Sequence, residues 1–448
     1  NKSANGAGVH ITDNTGFFFF FSCFFSGNES TNLGGALCSH NRIDINNSLF
    51  SGNKSDMGGA LHLDGLASTI INCTIASNLS TGNGSAIYGG ATPATIRNSI
   101  IDGNDGPFLL FASAAPVITN SVVQGSPLYT GTGNINSDPL FISPQLASAA
   151  PTTAGDYHLQ KCAASPAIDA GDNSAIPVGI TTDLDEQVRI VHTNIDMGAY
   201  ETHYAFQSGG KVYVDKTKTG KGISWSDAAP ELADALKEAK YNTGINEIWV
   251  AKGTYNPLYN AADGTETFCK IPGRDNAFVL VKNIKIYGGF AGGETNLSQR
   301  DINTNVVSLS GDIGIVNDNT DNVYNVVIGA GDLGTCKVDA VMVEYGKGAN
   351  DNISSKLVNT SIINKGYGAG IYLSNASPLF QNCSIRFNRS NYLGGGLFSD
   401  KNSNPVFINC SIVGNHAANG GGACINDQST PAFYNCRITG NVTDFTGS

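Results

Sequence analysis

The stretch Asn382-Cys383-Ser384-Ile385-Arg386-Phe387-Asn388 returns as Asn409-Cys410-Ser411-Ile412-Val413-Gly414-Asn415, and again as Asn435-Cys436-Arg437-Ile438-Thr439-Gly440-Asn441. The cysteines are 27 and 26 residues apart, with Gly395-Gly396-Leu397 and Gly421-Gly422-Ala423 between them. A period of this size describes a solenoid, in which each coil buries its apolar face only by stacking on its neighbour. Phe380, Phe407 and Phe433 stand two residues before each leading Asn, and Ile385, Ile412 and Ile438 three after it. Side chains on a strand alternate with a period of two, so these inward positions cannot share one straight strand. The chain must turn at Asn-Cys, again at the later Asn (Asn388, Asn415, Asn441), and once more at the paired glycines. Three short strands and three corners per coil predict an all-β parallel β-helix. Asn72, Asn98, Asn120, Asn382, Asn409 and Asn435 read as a structural ladder. Each amide reaches the next coil, and Asn tolerates the left-handed corner. A continuous stack predicts buried side chains at Asn72, Asn98, Asn382, Asn409 and Asn435.

The totals agree with many tight corners and few charged faces. Glycine supplies 54 of 448 residues, and charged residues are 14% against a usual level of about 25%. A net charge of −11 argues against nucleic acid, which wants a basic face. The position after the leading Asn carries Cys23, Ser48, Cys73, Ser99, Ser121, Cys383, Cys410 and Cys436. Interchange of Cys with Ser marks a small buried corner residue. Side chains of neighbouring parallel strands do not converge, so this column is not expected to form disulfides. No apolar run approaches the about 20 residues of a membrane span, so direct membrane insertion is not expected.

In chain order, residues 1–142 read as coils of a first array and 143–205 as its closing segment, where the repeat stops. Residues 206–305 read as a linker and N-terminal cap of a second array, with one short amphipathic helix at 230–239, and 306–448 as the coils of that array. Pro230 stands near the first turn, and Leu232, Ala235, Leu236 and Ala239 share a face, suited to covering the apolar start of a solenoid. Residues 17–21 are all phenylalanine. Register with the next coil points Phe18 and Phe20 inward and Phe17, Phe19 and Phe21 outward. The tail from Cys436 stops inside a coil, and Asn5-Gly6-Ala7-Gly8-Val9-His10 has the form of the missing glycine-opened strand. The expected partners are therefore copies of the same unit end to end, either as subunits of a polar filament or as repeats of one longer polypeptide, with Asn1 and Ser448 at opposite ends.

Three segments of the closing region, Ser165-Pro166-Ala167-Ile168-Asp169-Ala170-Gly171-Asp172, Thr182-Asp183-Leu184-Asp185 and Asp196-Met197-Gly198-Ala199-Tyr200-Glu201, resemble the closing region of bacterial surface proteins called choice-of-anchor Q. The Gly-Gly-Ala-Leu and Phe-x-x-Asn tetrapeptides are similar to repeats of polymorphic outer-membrane proteins. Glu247 to Tyr255 and Tyr287 to Thr295 resemble the N-terminal region of the former group. The resemblance implies a right-handed β-helix and an extracellular or cell-surface location. Glu186 stands where that resemblance implies a turn glycine.

Many β-helices cleave polysaccharides with clustered carboxylates, often beside Ca²⁺. In the outward columns here, Asp102 and Arg386 have no carboxylate partner, and no acid–base pair assembles. The column after the glycines carries His10, Cys38, His62 and Tyr88, then Tyr372, Phe398 and Ile425. It reads as a stacking column. Tyr88, Tyr372 and Phe398 are its candidate glycan or lateral contacts. His10 and His62 should lie about 10 Å apart, two coils at about 4.8 Å each, too far to share one ion. Asp183, Asp185, Asp196 and Glu201 are candidate cation ligands, with turn capping as the plainer role. No cofactor is expected apart from a candidate Ca²⁺ at those four acids. The functional expectation is a non-catalytic adhesin, stalk or filament element. The alternatives are a polysaccharide lyase or hydrolase, or a glycan-binding β-helix.

Overall fold

The structure is a computed structural model and describes every residue except 13–15, 91, 106–108, 112–114, 126–127, 163–164 and 444–448. The end of the tail, with the Ser448 of the end-to-end expectation, thus lies outside the described residues. The chain divides into two compact units, Asn1–Thr202 and His203–Ser448. Both are built of parallel sheets, each taking one short strand from successive coils. The fold is a right-handed parallel β-helix.

In the first unit four successive coils contribute to four sheets, not three, and the coil after them to three among the described residues. The additional strands, Lys2–Asn5, Glu29–Leu33, Lys54–Met57 and Leu79–Asn83, span the gap between the later Asn and the glycine corner. Their inward residue is serine, which is why no apolar period announced them. Ser30, Ser55 and Ser80 turn their hydroxyls onto backbone carbonyls of Leu33, Gly58 and Asn83. Inside the coils Ile43, Ile45, Ile70, Ile75, Ile96 and Ile101 are fully buried, and Phe25 stacks on Phe50 at 4.6 Å. At Gly35 the corner has no room for a side chain: a Cβ there would meet Gly59 O at 2.1 Å.

Residues 143–202 lie along the flank of these coils. Met197, Ala199, Tyr157 and Leu184 cover Leu49, Ala76, Ile100 and Val122, the outward apolar residues of one sheet. Hydrogen bonds fix the segment, from Asn98 Nδ2 to Asp172 O at 2.9 Å and from Ala199 N to Thr74 Oγ1 at 3.0 Å. Glu186 takes φ +63°. The turn that the resemblance gives to glycine is kept, with a carboxylate side chain in the left-handed region.

In the second unit, three sheets of seven, six and five strands begin at Lys211–Val214, Gly253–Tyr255 and Phe278–Val279. Coils therefore start well before residue 306, inside the stretch read as linker and cap. Their corners lack the Asn-Cys mark, so the period is invisible there. The helix is Leu232–Tyr241, two residues later than expected, because Pro230 and Glu231 precede the first turn. Leu232, Ala235 and Leu236 are buried, and the helix packs on Lys211–Val214 and Phe278–Val279. Phe380, Phe407 and Phe433 stack at 4.9 and 5.0 Å. Among the described residues no helix is long and apolar enough to cross a membrane.

Candidate functional site

The leading asparagines all take the left-handed conformation, with φ from +48° at Asn98 and Asn120 to +54° at Asn72 and Asn409. Their burial departs from expectation. Asn72 and Asn98 are buried, under the flanking segment. Asn120 and Asn382 are half-buried, and Asn409 and Asn435 are exposed. The last three do stack: Asn435 Nδ2 donates to Asn409 Oδ1 at 2.7 Å, and Asn409 Nδ2 to Asn382 Oδ1 at 3.4 Å. An Asn-Cys corner points its amide outward, so burial there needs another segment on top. The buried ladder runs instead through the later asparagines, Asn28-Asn53-Asn78-Asn104 and Asn388-Asn415-Asn441, with side-chain bonds of 2.9 to 3.0 Å. In the Cys/Ser column, Oγ or Sγ accepts the backbone N–H of the coil before it, as in Cys23 N to Ser48 Oγ at 3.0 Å.

Tyr372 and Phe398 are not available to a glycan. Both are buried beneath the antiparallel hairpin Ser355–Val358 and Ser361–Asn364, against Val358 and Ile363. The insertion at 350–366 that folds back over the sheet carries no repeat mark, so the column looked open in sequence. Tyr88 is half-buried and stacks on His62 at 5.1 Å.

Three of the four acids of the flanking segment hold backbone. Asp183 Oδ1 accepts from Asp185 N and Gln187 N, and Oδ2 from Glu201 N. Asp196 accepts from Asp169 N and Thr202 N, and Glu201 from Val191 N and Asp196 N. Asp185 instead pairs with His158 Nε2 at 2.9 Å. They do not gather around one point, so the Ca²⁺ expectation gives way to turn capping. Burial, then the charge of Asp196, pushes Glu201 well above its ordinary range.

Of the two outward charges read as isolated, one is partnered. Arg386 Nε donates to Glu344 Oε2 of the coil before it at 2.8 Å. Burial, then the charge of Asp138, pushes Asp102 up to about 6.

Beside the Glu344–Arg386 pair lies a site that the sequence reading missed. Tyr345 and Phe387 occupy the same corner of adjacent coils, with ring centroids 6.1 Å apart and planes at 20°. They are 40% and 50% exposed. Their φ angles are +62° and +55°. The matching residues of the following coils are Gly414 and Gly440, at +66° and +64°. A Cβ on Gly414 would meet the Phe387 ring at 2.9 Å, so glycine there makes room for the ring. The loop between Val307–Ser310 and Val327–Ala330 forms the other wall. Together they enclose a cavity of about 280 Å³ lined by Asp312, Asn317, Asn319, Asn322, Lys347 and Arg389 beside the rings. Asn322 Nδ2 donates to Tyr345 O at 2.7 Å, and Asp312 Oδ2 accepts from Asn317 N at 2.9 Å. The remaining oxygens, Asn322 Oδ1 and Asp312 Oδ1, are buried without a hydrogen-bond partner among the described residues. Burial, then the charges of Arg389 and Arg274, pulls the Lys347 ammonium below its usual range. A signal was present in the sequence: Phe387 breaks a column that reads Gly414 and Gly440 in the next coils.

A family model described as a right handed beta helix region matches residues 348–446, which include Phe387 and Arg389. The comparison with curated proteins and that with solved structures return no match.

Proposed function

We propose that this β-helix is a non-catalytic, adhesin-type scaffold displayed outside the cell, and that it takes a saccharide at the Tyr345–Phe387 corner. The observation that carries the reading is the pair of aromatics held in left-handed backbone where later coils use glycine. That conformation costs a side-chain-bearing residue about 1–2 kcal/mol, and such strain collects at binding sites. The rings offer apolar surface to a sugar face. Asn317, Asn319, Lys347 and Arg389 line the cavity with amide and cationic groups of the kind that meet sugar hydroxyls. Few convergent polar groups on an apolar wall describe a small-ligand site.

Asp312 is the one carboxylate among the lining residues, whereas glycoside hydrolysis ordinarily needs two across the bond. This supports binding without turnover. The resemblance of the flanking segment to choice-of-anchor Q proteins supports surface display of a bacterial type. A second reading, a glycan-cleaving enzyme, draws on Asp102, whose carboxyl burial, and then the charge of Asp138, pushes up to about 6.

A glycan array probed with the wild-type chain, Tyr345→Ala and Phe387→Gly tests the binding reading. Wild-type signal that falls away in both variants is expected. Signal unchanged in both variants would end it.

A further inference from the structure

One sheet of the first unit takes Val9–Ile11, Leu37–Ser39, Leu61–Leu63 and Ile87–Gly89 in order. In register, His10 stands opposite Cys38 and Cys38 opposite His62. His40 follows Cys38 by two residues, so extended backbone returns its side chain to the same face. Its N–H donates to Ile11 O of the preceding coil at 3.1 Å. The donor atoms of His10, Cys38 and His40 all lie within 4.8 Å of one another. Among the described residues they are the group of three or more His, Cys, Asp or Glu side chains that meets this distance. Cys38 Sγ is also 3.8 Å from His62 Nδ1, and Asp64 Oδ2 is 3.8 Å from His40 Nδ1. Cys38 and His62 are buried, His40 is half-exposed and His10 exposed. Sulfur forms the floor, and two imidazoles form an open rim.

We propose that Cys38, His10 and His40 bind a borderline-soft transition-metal ion, with Zn²⁺ as its type. One thiolate and two imidazoles form a donor set that suits zinc and excludes Ca²⁺ and Mg²⁺, which take oxygen. Bonds of about 2.3 Å to sulfur and about 2.0 Å to nitrogen place two ligand atoms of a tetrahedral ion about 3.5 Å apart. Closing from 4.8 Å requires only side-chain rotation at the two accessible histidines. On binding, the Cys38 thiol releases its proton to solvent and the thiolate becomes the ligand. His62 Nδ1 steadies the sulfur from the side away from the ion, and Asp64 orients the His40 ring. The fourth coordination position faces solvent. The 10 Å separation of His10 and His62 is no obstacle, because His40 stands where the sequence column had no second histidine.

The test uses the whole chain with the metal alone. It is incubated with zinc chloride and desalted, and the retained metal is counted. A parallel sample takes Co²⁺, whose sulfur-to-metal charge-transfer absorption reports thiolate ligation. The expected result is about one zinc per chain and a cobalt–thiolate band, with both lost in Cys38→Ser and in His10→Ala with His40→Ala. The double variant alters only accessible side chains, and circular dichroism checks that its coils persist. A wild-type chain that retains no zinc overturns the proposal, as does retention unchanged in the double variant.

Discussion

Asn53 Nδ2 donates to Asn78 Oδ1 at 2.9 Å, and the backbone N–H of Asn53 donates to that same oxygen at 2.9 Å. The other Asn53 amide hydrogen goes to Phe25 O of the coil before it, at 2.8 Å. One fully buried side chain therefore satisfies backbone on both sides of the corner, and repetition makes the corner continuous. Removal orphans several buried polar groups at once. Asn53→Ala is expected to cost on the order of 3–5 kcal/mol, since each buried group left unpaired costs about 1–3. Asn409→Gly keeps the corner backbone and loses only exposed bonds, so it should stay within about 0.5 kcal/mol of wild type. Urea denaturation of both variants checks the contrast. Equal losses would contradict the assignment of the later Asn as the buried ladder.

Glu186 is exposed and sits at φ +63°. Its side chain gains nothing from the left-handed turn that glycine enters without strain. Glu186→Gly should raise stability by up to about 1 kcal/mol, since relief of strain exceeds the added chain entropy. Thermal melts measure it, and a lowered midpoint would show that the carboxylate holds the turn.

The flanking segment should respond to pH and ignore calcium. Burial raises Asp196 from an ordinary 3.8 to about 6, against its two backbone N–H donors, and raises Glu201 in the same direction. The folded chain then holds protons that the unfolded chain has released. This stability is fully present below pH 3.8 and is lost as pH rises through about 6. Glu29 and Asp172, held low by hydrogen bonds, act oppositely but at the surface. Unfolding of the first unit should be harder near pH 4 than near pH 7, by on the order of 1–3 kcal/mol. Asp183, Asp196 and Glu201 present oxygens already taken by backbone N–H, so Ca²⁺ and chelators should leave the melting curve unmoved. A calcium-dependent shift would restore the cation reading.

The coil was legible wherever a corner residue had a chemical reason to recur. Asn53 and Asn78 recur because the amide must bond its neighbour, Gly35 because a Cβ meets the next backbone, and Cys73 and Ser99 because either accepts an N–H. The coils between Lys211 and Phe290 carry no such mark. Binding sites were harder to see, because they are departures from the period. Tyr372 and Phe398 kept the period and proved to be core. Tyr345 and Phe387 broke it, and both rings stay at the surface. His40 escaped notice because it sits one position beyond the strand that holds Cys38, though Cys-x-His on extended chain already shares a face.

Binding and turnover can be separated in a single titration. An oligosaccharide chosen from the array is titrated calorimetrically into wild type and into Phe387→Gly, and its length is analysed afterwards. Phe387→Gly restores the residue that Gly414 and Gly440 carry, so the corner should fold at least as well without the ring. The account predicts saturable binding to wild type, affinity at least about tenfold weaker in the variant (about 1.4 kcal/mol), and a ligand of unchanged length. Equal affinity in the two proteins, or a shortened ligand, would contradict it.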